Sequence, residues 1–351
     1  MNREKSDVKL SICCITYNHE KYIEQTLNSF LMQKTNFKFE VLIHDDASTD
    51  KTAEIIHKYE KKFPDIIKPV YQKENQFSKG IYVDKEFNWP RIQGEYVALC
   101  EGDDYWTDEY KLQKQVDFLD QNKDYNVCFH PVLTVWDDDS KVDSVYPDEQ
   151  CRFYKTELTF DDLLIRNFIQ TNSVVYRWQL KGKEDTFPNN ILPCDYFIHL
   201  LNVNNGKIKC LPHVMAVYRK QAGGIWMGCG VTDEWFLRCG LKHINFYDEI
   251  EKMFGCNKSE EKMYLAKRCL DIFKKYKDEK QLNEIITKYP NECKPNVANV
   301  EQKNSSENVD LQQITFKKRI FIKLIEWRFK IGYWLLVILL IIILWLKPIL
   351  G

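Results

Sequence analysis

Three carboxylates crowd around one glycine at Glu101-Gly102-Asp103-Asp104, directly after the apolar run Tyr96-Val97-Ala98-Leu99-Cys100. A buried strand that delivers Glu101, Asp103 and Asp104 to its carboxyl end concentrates negative charge, which is costly unless a cation neutralises it. The chemistry this favours is a divalent metal site. The competing explanation is a solvated acidic turn that leads into a helix starting near Asp108.

Two other polar groups also follow apolar runs: Thr16-Tyr17-Asn18, and His44-Asp45-Asp46-Ala47-Ser48-Thr49-Asp50. The elements that must hold them are legible from periodicity. Residues 8–15 read as a strand with Val8, Leu10, Ile12 and Cys14 on one face. Asn18 is placed to cap a helix with Ile23, Leu27, Phe30 and Leu31 at helical spacing. Residues 39–43 form a second strand, followed by a helix from about Asp50 that buries Ile55, Ile56, Tyr59 and Phe63 and stops at Pro64. Residues 67–71 and 95–99 give two more strands, the last backed by a helix with Leu112, Val116 and Leu119 inward. Strands alternating with helices predict a mainly parallel sheet covered on both faces, with ligands at the carboxyl ends of the strands. All three polar groups stand at such ends.

Beyond residue 127 the pattern changes. Residues 132–136 and 141–145 read as a hairpin, which makes Asp137-Asp138-Asp139 an exposed turn. A short helix is expected over 161–169, a strand over 172–177, and a helix opening at Pro193-Cys194-Asp195 and ending at Asn204-Asn205-Gly206. Strands follow at 207–210 and 214–219, then a loop at Gly223-Gly224. Residues 230–290 are helical and charged, with Phe236, Leu241, Ile244, Phe246, Tyr264, Leu270, Ile272 and Phe273 as packing positions.

The 351 residues carry a formal net charge of -1, so there is no overall electrostatic footprint for nucleic acid. Twelve scattered cysteines without a C-x-x-C pair read as reduced, mostly buried thiols of a cytosolic chain. No G-x-G-x-x-G follows the first strand and no Walker lysine loop is present. Residues 294–313 read as linker, and residues 316–330 as a basic amphipathic helix. Residues 331–346 are an uncharged apolar run that reaches about 24 Å as a helix, against a hydrocarbon core of about 30 Å. The basic flank puts its preceding side at the cytoplasmic face.

Residues 12–18, 41–52 and 98–106 together resemble the family 2 glycosyltransferases of the GT-A fold, which move a sugar from a nucleotide diphosphate to an acceptor. The family's T-Y-N-like turn is matched by Thr16-Tyr17-Asn18, its D-D-x-S-x-D-x-T by the run from Asp45 to Thr52, and its D-x-D-type metal motif by Glu101-Gly102-Asp103-Asp104, with Glu where Asp is commoner. The resemblance implies an α/β, Rossmann-like catalytic domain over residues 1–228, with a nucleotide-sugar half at 8–122 and an acceptor half at 123–228. A helical extension at 229–293, the linker at 294–313 and a membrane-anchoring segment at 314–351 complete the expected organisation.

By the same resemblance, Thr16, Tyr17, Asn18, Asp45, Asp46, Asp103 and Arg219 bind the nucleotide-sugar, Asp45 by accepting from a base N–H. Asp103, with Asp104 and Glu101, holds Mg or Mn against the diphosphate. Asp195 matches the family's acidic base, although Cys194 stands where a second acid or a glycine is common, and a first-turn carboxylate also suits the helix dipole. His213 and Trp226 are further contact candidates, with packing or surface the stronger alternative for each.

The Q-x-x-R-W of processive relatives is missing at residues 221–226, so one sugar is expected per encounter. The expected reaction is inverting transfer from a UDP-sugar to a glycan or lipid-linked acceptor in cell-envelope polysaccharide synthesis, at the cytoplasmic face of the membrane. The alternatives are a non-catalytic nucleotide-sugar binder or membrane scaffold on the same fold, and a nucleotidyltransferase, which lacks here its glycine- and arginine-rich phosphate loop.

Overall fold

The computed structural model describes residues 7–137, 141–148, 157–221 and 232–290. The first half is built from strand-helix units: β1 (Val8–Thr16), α1 (Ile23–Leu31), β2 (Lys38–Asp45), α2 (Thr52–Lys62), β3 (Ile67–Tyr71), β4 (Tyr96–Leu99), β5 (Tyr105–Trp106) and α3 (Lys111–Gln121). The second half adds β6 (Tyr125–Phe129), β7 (Val132–Trp136), β8 (Ser144–Tyr146), α4 (Phe160–Ile165), β9 (Val175–Arg177), α5 (Cys194–Val203), β10 (Lys207–Cys210) and β11 (Ala216–Lys220). Helices α6 (Asp233–Phe254), α7 (Ser259–Tyr276) and α8 (Glu279–Lys288) follow.

Seven strands form the central sheet in the order β10-β6-β9-β4-β1-β2-β3. Alternation along β1 divides the core, because successive side chains point to opposite faces. Leu10, Ile12 and Cys14 pack with Ile23, Leu27 and Phe30 of α1 on one face, while Cys13 joins Trp89, Phe187 and Phe197 on the other. Burying each such Leu, Ile or Phe stabilises the fold by about 1.5–3 kcal/mol, which fixes the register of the strands and so the level at which their ends emerge. Phe246 and Ile250 of α6 belong to the second face.

The sheet is α/β and mixed. Strand β9 lies antiparallel to both β4 and β6, a departure from the parallel pattern expected. It is three residues long and buried at two of them, so no alternation reveals its direction. A second sheet, β5-β11-β7-β8, sits beyond the end of β4. Its β7–β8 hairpin was expected, but the returning strand is Ser144–Tyr146 in place of 141–145, and Val132 pairs with Tyr146.

Two local expectations are corrected. Asn18 does not cap α1: it adopts φ 56°, a left-handed conformation that Asn tolerates, and its side chain turns to the second strand's loop. Tyr22 holds the N-cap position without a side-chain bond. Tyr264 is no packing residue, being 58% exposed, because α7 turns Leu265, Cys269, Leu270, Ile272 and Phe273 inward instead. No disulfide forms among the described residues, and no helix among them is long and apolar enough to cross a membrane. The expected linker, basic helix and apolar run at 294–351, with Gly223, Gly224, Trp226, Asp138 and Asp139, lie outside the described residues.

Candidate active site

The order β3-β2-β1-β4 reverses direction between β1 and β4, and it is there that an open α/β sheet leaves a crevice at its carboxyl edge. The loops after β1 and β2 are laced together. Asn18 Oδ1 accepts from Thr49 N at 2.8 Å, and Asn18 N donates to Ser48 Oγ at 2.9 Å. Asp50, just before α2, accepts from Thr52 N at 2.9 Å and Thr52 Oγ1 at 2.6 Å.

Asp45 is buried and takes Ser48 N and Oγ, with burial raising its carboxyl above the ordinary range. Asp46 accepts from Gln76 N at 2.8 Å and Phe77 N at 3.0 Å, with His44 Nε2 at 3.3 Å. Its oxygens therefore hold the 76–77 segment. Tyr17 is 43% exposed at the mouth of the crevice.

The triad after β4 is assembled by close backbone approach. Gly102 N donates to Ile15 O at 2.9 Å, and a Cβ on Gly102 would come within 2.5 Å of Thr16 Oγ1, so only glycine fits. Thr26 Oγ1 of α1 donates to the carbonyls of Gly102, at 2.9 Å, and Asp104, at 2.6 Å. Each of Glu101, Asp103 and Asp104 offers a carboxylate oxygen within 4.8 Å of the others. Asp104 is 1% exposed. Its Oδ1 accepts from Arg219 N at 2.8 Å, while Oδ2 is buried without a hydrogen-bond partner among the described residues.

Desolvation and the neighbouring carboxylates push the Asp104 carboxyl well above its usual range, and raise Glu101 to about 8. Three hard oxygen donors, one of them orphaned, fit a divalent cation of the Mg or Mn type. The same crowding without a cation disfavours their ionised forms.

Arg219 follows from strand pairing. Because β11 pairs with β5 through Ala216–Trp106 and Val217–Tyr105, the chain continues past Asp104 and Asp103. The Arg219 guanidinium donates to Asp103 O and Gln25 Oε1 and lies 4.4 Å from the Tyr105 ring centroid. Gln221 Nε2 donates to Asp103 Oδ2 at 2.7 Å, and His19 Nε2 lies 3.8 Å from that same oxygen. Burial lowers the His19 pKa against the pull of Asp103.

Asp195 enters from the first turn of α5. Its carboxyl is raised by burial, and Thr171 Oγ1 donates to it at 3.4 Å. Its charge reaches the triad, since it helps raise Glu101. Burial first, then Glu101, Asp104, Asp103 and Asp195 in turn, raise the Tyr218 phenol. His213 is exposed.

Three residues at this site carried no chemical signal in the sequence: His19, Tyr218 and Gln221, which the folded strand ends bring in. His19 was the most accessible to inference, one residue beyond the Thr16-Tyr17-Asn18 turn.

Residues 11–177 match the family model described as glycosyl transferase family 2. An uncharacterized protein of Mycobacterium tuberculosis is 45% identical over 217 residues, 62% of this chain and 60% of that protein. The poly(ribitol-phosphate) beta-N-acetylglucosaminyltransferase TarS of Staphylococcus aureus is 35% identical over 116 residues, 33% of this chain and 19% of that protein. The crystal structure of S. aureus TarS 1-349 in complex with UDP-GlcNAc shares the fold with a TM-score of 0.51 at 18% identity, covering 81% of this chain and 92% of that one. The chain spans 60% of the length of the mycobacterial relatives it matches. The fold is thus of the GT-A type expected, with a mixed sheet.

Proposed function

We propose that this chain is a metal-dependent, inverting glycosyltransferase that moves one sugar from a nucleoside diphosphate donor, a UDP-sugar foremost, to a glycan or lipid-linked acceptor in cell-envelope polysaccharide synthesis. The observation that carries this reading is the acidic triad with the unpartnered, buried Asp104 Oδ2, set at the β1–β4 crevice within electrostatic reach of Asp195. A divalent cation held by Glu101, Asp103 and Asp104 would neutralise the diphosphate as it departs.

This chain's own residues divide the remaining work. Thr16, Tyr17, Asn18 and Asp45 form the nucleotide edge, and Asp46 keeps its loop in place. Arg219 positions Asp103 and Asp104 through its side chain and its backbone N–H. Asp195 takes the proton from the acceptor hydroxyl while that oxygen bonds to the anomeric carbon. The bond from the anomeric carbon to phosphate oxygen breaks, and its electron pair leaves with the nucleoside diphosphate. A base on α5, separate from the triad after β4, suits inversion, because base and leaving group act on opposite sides of the sugar. A carboxyl raised by burial also suits a base.

The choice of a UDP-sugar draws support from the donor in the TarS complex. Membrane placement draws support from the apolar run at residues 331–346 and the basic stretch before it. Thermal stabilisation by UDP-, GDP- and dTDP-sugars with Mn present tests the reading directly, since a bound donor stabilises the native state by mass action. Stabilisation that needs both sugar nucleotide and metal, and that Asp103→Asn abolishes, is the expected result. A chain stabilised equally well by donors with chelator present has no metal site of the proposed kind.

A further inference from the structure

Two cations on the second sheet take no part in the roles above. Trp136 closes β7, and strand register sets Lys220 of β11 beside it on the same face. Lys220 Nζ lies 5.0 Å from the Trp136 ring centroid and 5.9 Å from that of Tyr218, and Lys141 Nζ lies 4.2 Å from the Trp136 ring centroid. Among the described residues no carboxylate pairs with either ammonium, and the carboxylate of the adjacent Asp137 accepts from the Tyr22 hydroxyl instead. Lys220 is half-buried, and burial and the charge of Lys141 both act against its charged form. Two ammonium groups gathered on one part-buried indole favour an anion between them, because a cation–π contact is weaker than a charge-assisted hydrogen bond.

Hydrogen bonds set this pair beside the site. On either side of Lys220, Arg219 N donates to Asp104 Oδ1 at 2.8 Å and Gln221 Nε2 donates to Asp103 Oδ2 at 2.7 Å. Earlier on the same strand, Val217 O accepts from Asn172 Nδ2 at 2.8 Å, and Thr171, next to Asn172, donates to Asp195 at 3.4 Å. One strand thus joins the triad, the loop that bonds Asp195, and the lysine pair. At a rise of about 3.3 Å per residue, Lys220 stands about 10 Å along β11 from the Val217 attachment. In the reading above the attacking hydroxyl meets Asp195, so an acceptor chain that follows β11 from there runs onto the lysines.

We infer that the acceptor is an anionic glycan, one bearing phosphate or carboxylate groups along its length, and that Lys220 and Lys141 bind such a group while a neighbouring hydroxyl meets Asp195. The inference rests on the glycosyltransferase reading for the fate of the bound chain, and donor binding tests that reading separately.

The full chain is titrated with a poly(glycerol phosphate), a polygalacturonate and, as the uncharged reference, a dextran, and separately with UDP-, GDP- and dTDP-sugars in Mn. At least one anionic polymer should bind more tightly than dextran, and the phosphate and uronate arms name the anion. Replacing both lysines, Lys141→Gln with Lys220→Gln, should weaken that polymer by about tenfold or more while donor affinity stays within about twofold. The melting temperature reports folding, and Lys141→Gln alone, at an exposed position, carries the same test if the double variant melts low. Lys274→Gln with Lys277→Gln, at exposed positions of α7 and its end, removes equal charge and should change polymer affinity by less than about twofold. Labelled sugar should pass from the donor to the bound polymer, with KM raised in the double variant. Dextran bound as tightly as both anionic polymers, equal losses in the two lysine pairs, or binding without transfer would overturn the inference. A parallel fall in donor affinity would also overturn it, by assigning the lysines to the diphosphate. If the unchanged chain binds a polyanion but no sugar nucleotide, the glycosyltransferase reading fails, and the acceptor role falls with it.

Discussion

Asp46 and Asp104 are both aspartates at strand ends, 4% and 1% exposed, and they differ in what their oxygens meet. Both oxygens of Asp46 accept backbone N–H groups, from Gln76 and Phe77, with His44 as a third partner. Asp104 receives one N–H, from Arg219, and keeps its other oxygen bare among like charges. The contrast extends to their neighbourhoods. Asn18, Asp45, Asp46 and Asp50 lace the β1 and β2 loops together through hydrogen bonds, although burial raises the Asp45 carboxyl too, whereas Glu101 and Asp104 are raised by burial and by neighbouring carboxylates with little hydrogen bonding in return. One edge of the crevice is completed by the protein itself. On the proposed function, the other is completed by the metal and donor that bind there.

Function gives the sharpest way to break this contrast. Asp103→Asn and Asp195→Asn are each expected to lower transfer by about a hundredfold or more, the loss for Asp195→Asn falling on turnover with donor affinity kept. A transfer assay paired with donor titration separates the two, and full transfer by Asp195→Asn removes it as the base.

Stability gives the next. Asp46→Asn should destabilise by about 1–3 kcal/mol, because it weakens acceptors for two buried N–H groups. In chelator, Asp104→Asn at similar burial should hold or raise the melting temperature by relieving like-charge repulsion. Equal losses in the two variants would erase the difference between the edges.

The pH dependence of the metal-free chain sharpens it further. Burial lifts Asp84 to about 6, and burial with its acidic neighbours lifts Glu101 to about 8. Both folded values exceed the unfolded ones, so the native state binds protons more tightly. The associated stability is present below about pH 4 and is lost as pH rises through about 6 for Asp84 and about 8 for Glu101. Denaturant melts in chelator should lose on the order of 2 kcal/mol across the Asp84 window. Asp84→Asn should remove that part of the loss, and Mn should remove the Glu101 part, which runs from about pH 4.5 to about 8 and overlaps it. The smallest effect belongs to the surface: Tyr264→Ser should stay within about 0.5 kcal/mol of the parent in the same melts.

Much of this was legible beforehand because it rests on strong local periods. The β1, β2, β3 and β4 units, the α5 start and the β7–β8 hairpin each showed an alternation or helical repeat bounded by turn residues. The triad was legible as an acid-glycine cluster at a strand end. Direction and partnership were not. Nothing local says that Val175–Arg177 runs antiparallel, or that Asn18 faces Thr49 across 31 residues instead of capping its own helix. Asp46 and Asp104 look equivalent in sequence, as acids after apolar runs, and only tertiary contacts separate them. Asp84, in a crossover without a period, had no sequence signal to mark it.

The contact between Gly102 and Thr16 also sets a ruler. With a backbone bond from Gly102 to Ile15 and no room for a methyl group between Gly102 and Thr16, the loop after β1 and the triad after β4 form one rigid span. On the proposed function, the separation between the nucleotide edge and the leaving-group edge would be held by these contacts and would not adapt to the ligand. A change of sugar or base can be accommodated by altering side chains at either end, but a linker between base and sugar of different length than a diphosphate would fall out of register with one end. Selectivity for the length of the donor would thus be set by main-chain contact, beyond the reach of most point substitutions.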